Sequence, residues 1–92
     1  MARRWTDPKD PDETLDYVVD WVDVLDDGDT IAASAWTVPD GISSTMQNNT
    51  ETSATIWISG GELDQNYTLL NQITTAGGRV REQTCTLRVS AK

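Results

Sequence analysis

The sequence predicts an all-β protein, an antiparallel sandwich of about seven short strands preceded by an extended N-terminal arm. Three observations lead there. Apolar residues recur at every second position in several runs, which is the period of a half-buried strand. Turn-forming clusters separate those runs, among them Asp26-Asp27-Gly28-Asp29, Pro39-Asp40-Gly41 and Ala76-Gly77-Gly78. No apolar pattern of helical period outlasts a turn or two, and alternating strands with regular turns build sandwiches.

Residues 1–13 contain Asp7-Pro8 and Asp10-Pro11 and little apolar material beyond Trp5, so this segment reads as an extended arm. Residues 14–92 form the sandwich. Arg3, Arg4 and Trp5 give the arm a positive, amphipathic tip of the kind that anchors on a partner. From Leu15 the chain alternates, with Leu15, Tyr17, Val19 and Trp21 on one face and Asp16 and Asp20 on the other. The acidic turn ends this strand, because Asp bonds its own backbone and Gly accepts positive φ. A second strand runs over 30–38, carrying Ile31, Trp36 and Val38. Residues 42–52 are polar, and a short strand near Ser44 to Met46 followed by a loop is the reading they support. In 54–59, Ala54, Ile56 and Ile58 alternate with Thr55, Trp57 and Ser59. Trp57 therefore points away from the aliphatic face.

The segment from Tyr67 to Val89 is a hairpin whose register can be tested. With a three-residue loop at Ala76-Gly77-Gly78, Thr75 faces Arg79, Ile73 meets Arg81, Asn71 meets Gln83, Leu69 meets Cys85 and Tyr67 meets Leu87. All apolar residues except Leu70 and Val80 then share one face. A two-residue loop mixes the faces, and a one-residue slip is costly when one face is buried. Three-residue loops place a residue in the left-handed region, which assigns Gly78. The outward face, Thr-rich and polar, has Leu70 as its one aliphatic residue away from the turn. Leu63 to Tyr67 has the pattern of a tyrosine corner, in which the phenol bonds back to upstream backbone.

The inventory excludes most chemistry. In 92 residues there is no His and one Cys, so neither a Ser-His or Cys-His nucleophile pair nor an imidazole or thiolate metal site can form. Cys85, on the inward hairpin face, reads as a small buried hydrophobe. The acidic turn fails the EF-hand test, because aligning Gly28 with the loop glycine puts Leu25 at a ligand position and Ser34 where a bidentate Glu belongs. No catalytic residue, cofactor or metal is expected, and the chain reads as a non-enzyme. A net charge of −8 disfavours nucleic acid, since phosphate contacts need clustered cations. No apolar run approaches the roughly 20 residues that cross a bilayer, so no membrane partner is expected.

The stretch from Leu15 to Val89 resembles a family of small tailed-bacteriophage proteins, the fiber-tail adaptors. The resemblance rests on Leu15-Asp16-Tyr17 with Asp20-Trp21, and on Asp29-Thr30-Ile31-Ala32 with Trp36-Thr37-Val38-Pro39. Trp57-Ile58-Ser59-Gly60-Gly61 and Tyr67 followed by Asn71 to Arg79 complete it. It implies an immunoglobulin-like fold and a virion structural protein, made in the host cytoplasm, that joins tail or head-tail connector components to fibers. Its partners would be connector, tail or fiber subunits and copies of itself in a ring. Trp5, Trp57 and Leu70, with Arg3 and Arg4, are the candidate interface residues, because large apolar groups displaced from the core pattern bury against partners. The alternative is an immunoglobulin-like adhesion or carbohydrate-binding module of a phage or bacterial surface protein. A reading frame opening at Met1 favours the self-standing virion protein.

Overall fold

The computed structural model describes the backbone of Ala2–Arg4 and all of residues 9–90. Seven strands follow in order: β1 (Ala2–Arg4), β2 (Leu15–Asp20), β3 (Ile31–Thr37), β4 (Ile42–Asn49), β5 (Ser53–Gly60), β6 (Asn66–Thr75) and β7 (Val80–Arg88). Six of them make two antiparallel layers of three, β7-β6-β3 and β2-β5-β4. The seventh, β1, is a short addition that runs parallel to β7 along its outer edge. The sandwich is thus six antiparallel strands with one parallel edge strand.

The hairpin holds the alignment that apolar alternation requires. Tyr67 pairs with Leu87, Leu69 with Cys85, Asn71 with Gln83 and Ile73 with Arg81. At the tip the Thr75 N–H donates to the Arg79 carbonyl at 2.8 Å and the Gly78 N–H to the Thr75 carbonyl at 3.0 Å. Gly78 has φ +88°. Every odd-numbered residue from Tyr67 to Thr75 and from Gln83 to Val89 is buried. A one-residue slip would turn that whole set to solvent.

Between the layers lie two apolar clusters. One gathers Tyr17, Ile42, Ile56, Ile58, Tyr67, Leu69, Leu87 and Val89, and the other Val19, Trp21, Ile31, Ala54, Ile73 and Cys85. Half-buried Trp36 packs against both and joins them. Each fully buried Leu, Ile or Val contributes about 1.5–3 kcal/mol, which makes these two inner faces the main source of stability. The Trp21 indole N–H donates across the layers to Asn71 Oδ1 at 2.9 Å, so the buried amide and indole satisfy each other.

Strand β4 departs from expectation. Instead of a short strand and a loop, it runs for 8 residues and pairs with β5 from Ile42 opposite Gly60 to Asn49 opposite Ala54. Its polarity has a physical cause: β4 is an edge strand, its register shifts between Ser44 and Met46, and beyond the bulge its residues are exposed. A strand that buries only one end needs no alternating apolar signal.

Lys9, ahead of β2, is bound to the end of the sandwich. The Lys9 N–H donates to the Arg88 carbonyl, and the Ser90 N–H donates to the Lys9 carbonyl, which continues the parallel contact beyond β7. The Lys9 side chain is fully buried, and its ammonium donates to the Gly60 carbonyl at 2.6 Å and the Asp10 carbonyl at 2.8 Å. Burial holds Lys9 below the usual lysine range, and Glu13, Asp10 and Asp12 oppose that shift. The ammonium closes the end of β5.

Candidate partner-binding surface

The two layers present outer faces of different character. On β2-β5-β4 the odd residues of β5 point outward, and Trp57 sits at the centre with Asp16 of β2 on one side and Met46 of β4 on the other. Val18 is one pair along the same face, opposite Thr55. Val18 and Met46 are 41% and 51% exposed and Trp57 is half-buried, so an apolar stripe crosses all three strands. Asp16 and Asp20 border it on β2, and both are exposed. No Lys or Arg occurs in any strand of this layer.

The other layer is flatter. Leu70 is half-buried on its outer face between Thr37 of β3 and Thr84 of β7, and Thr84 in turn pairs with Ala2 of β1. Thr68 and Thr86, Gln72 and Glu82 extend the polar surface, with a Gln72 to Glu82 hydrogen bond at 2.9 Å. Arg3 and Arg4 lie on β1 opposite Cys85 and Thr86. Trp5 lies outside the described residues. The candidates therefore fall into two groups: Trp57 stands on one layer, while Leu70 and β1 with Arg3 and Arg4 stand on the other.

Sequence reading missed Val18 and Met46. Val18 was legible, since it shares the parity of Asp16 and Asp20. Met46 was not, because the bulge at Ser44 to Met46 inserts one residue and reverses the alternation that sequence inspection follows.

Both ends of the sandwich are clasped. At one, the Tyr67 phenol oxygen accepts from the Glu62 N–H at 2.8 Å, the tyrosine-corner bond that the residue pattern suggested. At the other, Asp29 Oδ1 accepts from the N–H groups of Gly77 and Thr30, at 2.9 and 3.0 Å. Arg79 spans the same turn, with Nε 2.7 Å from Asp26 and Nη1 3.5 Å from Asp29. The Thr75 hydroxyl, then the backbone N–H groups of Gly77 and Thr30 and the Arg79 charge, holds Asp29 below the ordinary carboxylate range against an opposing desolvation. The acidic turn is thus an anchor for the hairpin tip and not merely a solvated loop. Among the described residues no group of three His, Cys, Asp or Glu side chains is placed to hold a metal ion.

A polar cleft of about 140 Å³ opens where β3 and β4 face each other, lined by Ser34, Gln47, Asn48 and Asn49. Small-molecule sites usually enclose about 300–1,000 Å³. This cleft falls below that range.

The clasped ends and the exposed apolar stripe make the outer faces of this sandwich its candidate contact surfaces. A family model, that of the podophage GP4 fiber-tail adaptor protein gp77, matches residues 9–88. The chain belongs to this phage fiber-tail adaptor family of structural proteins. No curated protein matches it.

Proposed function

We propose that the chain is a non-catalytic virion component that links the tail or head-tail connector to fibers through protein contacts, with several copies arranged in a ring. The family match over residues 9–88 carries this reading. The apolar stripe around Trp57 supports it, because an aromatic group with exposed aliphatic neighbours and a polar rim is the composition of an interface centre. Leu70 and the β1 strip with Arg3 and Arg4 supply a second contact surface on the opposite layer. The partition of strands between the layers, with the tyrosine corner, supports an immunoglobulin-like assignment. The β3 to β4 cleft, at about 140 Å³, gives the carbohydrate-binding alternative no support.

The test is assembly in vitro with purified tails and fiber protein. Wild-type chain should bind tails and permit fiber attachment. Trp57→Ala should cost roughly 2–3 kcal/mol of stability, since more than half of its ring area is covered, yet leave a folded chain that binds tails without fibers. A chain that ignores tail and fiber components alike would overturn the proposal.

A further inference from the structure

The charge of this chain is divided with unusual strictness. All 7 Lys and Arg residues lie at or before Lys9 or at or after Arg79. Residues 10–78 contain no cation and hold every acid of the 15 except Asp7 and Glu82. Parallel pairing of β1 with β7 then sets the two cationic ends of the chain side by side. Arg81 and Arg88 stand near the ends of β7, about 23 Å apart at the rise of an extended strand. Arg3 and Arg4 lie on β1 between them, opposite Cys85 and Thr86.

Arg81 and Arg88 are not consumed within the fold. Arg79 is, through Asp26 and Asp29. Arg88 is only 3.6 Å from Asp64 in a pair more than half exposed on both sides, a contact worth little in water. Arg81 is exposed near the tip of the hairpin. On the other layer, the stripe of Val18, Trp57 and Met46 is bordered by Asp16 and Asp20 with no cation in any of its strands.

We propose that these two surfaces dock on one another between copies: the acidic, Trp57-centred face of β2-β5-β4 in one copy receives the basic β1-β7 edge of the next. This rests on the ring reading above and specifies its contact. The two surfaces differ and belong to different layers, so the contact is heterologous and each copy of a pair keeps its other surface free for a further neighbour. The apolar stripe supplies the buried centre and the opposed charges set orientation and exclude the reversed pairing.

Sedimentation of the full chain tests this with two charge-reversal variants, Asp16→Arg/Asp20→Arg and Arg81→Glu/Arg88→Glu. Wild type should associate at about 0.05 M salt, and its dissociation constant should rise about tenfold or more at about 0.5 M, where the Debye length falls from near 14 Å to near 4 Å. Each variant alone should stay monomeric. Mixed together they restore opposed charges at both contacts, native acidic face on native basic edge and reversed face on reversed edge, so association should return with the two variants alternating. Variants that assemble as wild type does, a salt-independent wild type, or a mixture that stays monomeric would each overturn the docking. Should the Glu variant melt early, Arg81→Gln/Arg88→Gln gives the same reading through a weaker wild-type-like association. Tail and fiber binding is scored in parallel: if it survives while the charge variants assemble normally, this contact fails and the adaptor role stands.

Discussion

At Gly78 a Cβ would meet no atom within 4 Å, so the position is spacious, yet its φ of +88° lies where side-chain-bearing residues are strained. Gly78→Val should therefore destabilise the domain by about 1 kcal/mol or more through the backbone alone, read as a lower melting midpoint with no change in the hairpin's partners. Tyr67 offers the opposite case, in which space is the limit. Its ring fills the site where a Cβ on Gly41 would come within 2.8 Å, and its hydroxyl accepts the Glu62 N–H at 2.8 Å. Tyr67→Phe keeps the packing and deletes the acceptor. The expected loss is about 1–3 kcal/mol in chemical denaturation, the cost of leaving a part-buried donor unmet. A loss near zero would mean that water replaces the phenol.

Of the polar links that hold elements to each other, Asn71 on β6 carries the central one. Its Oδ1 accepts from Trp21, and its Nδ2 donates to Ser34 Oγ at 3.0 Å and the Ala35 carbonyl at 3.2 Å, so one amide ties both layers and the β3 edge. Asn71→Leu should cost about 2–4 kcal/mol, because it strands the indole N–H inside the core, with altered Trp fluorescence as the second readout. The Asp29 clasp behaves differently with pH. Its carboxyl is held below the ordinary range by bonds that exist only in the folded chain. The stabilisation is fully present above the unfolded pKa and is lost as pH falls through the lower, folded one. Asp29→Asn should lower stability at neutral pH and flatten the acid limb of a stability profile, and an unchanged limb would remove Asp29 from the clasp. These links also mark the limit of sequence reading. The hairpin register was legible because burial makes parity strict over Tyr67 to Val89, and Gly78 followed from that register. Asp29 as an anchor was not, since Gly77, the hairpin residue whose N–H it accepts, is 48 positions away. Nor was β1, whose pairing is main-chain to main-chain and leaves no side-chain period. Lys9 was hidden for the same reason: a buried ammonium satisfied by carbonyl oxygens has no partner residue type to search for.

For the molecule as a whole, the decisive quantity is the balance between ion pairing and self-repulsion. Among the described residues, the ion pairs of Arg79 with Asp26 and Asp29 and of Arg88 with Asp64 each include at least one side chain more than half exposed, and pairs of that kind contribute about 0–1 kcal/mol. Against them stands a net charge of −8, with every acid from Asp10 to Asp64 on a stretch that holds no cation. Repulsion of this kind opposes the compact state and is screened by salt. Moderate salt should thus raise the melting midpoint of the monomer, and screening that recovers about 1 kcal/mol moves a chain of this size by roughly 4–8 °C. The sign separates folding from assembly, because the same salt weakens the proposed contact between copies. At protein concentrations low enough to keep the chain monomeric, the midpoint should climb with salt. At high concentration, where association adds to apparent stability, the climb should shrink or reverse. A midpoint that falls with salt at every concentration would show that the ion pairs outweigh the repulsion.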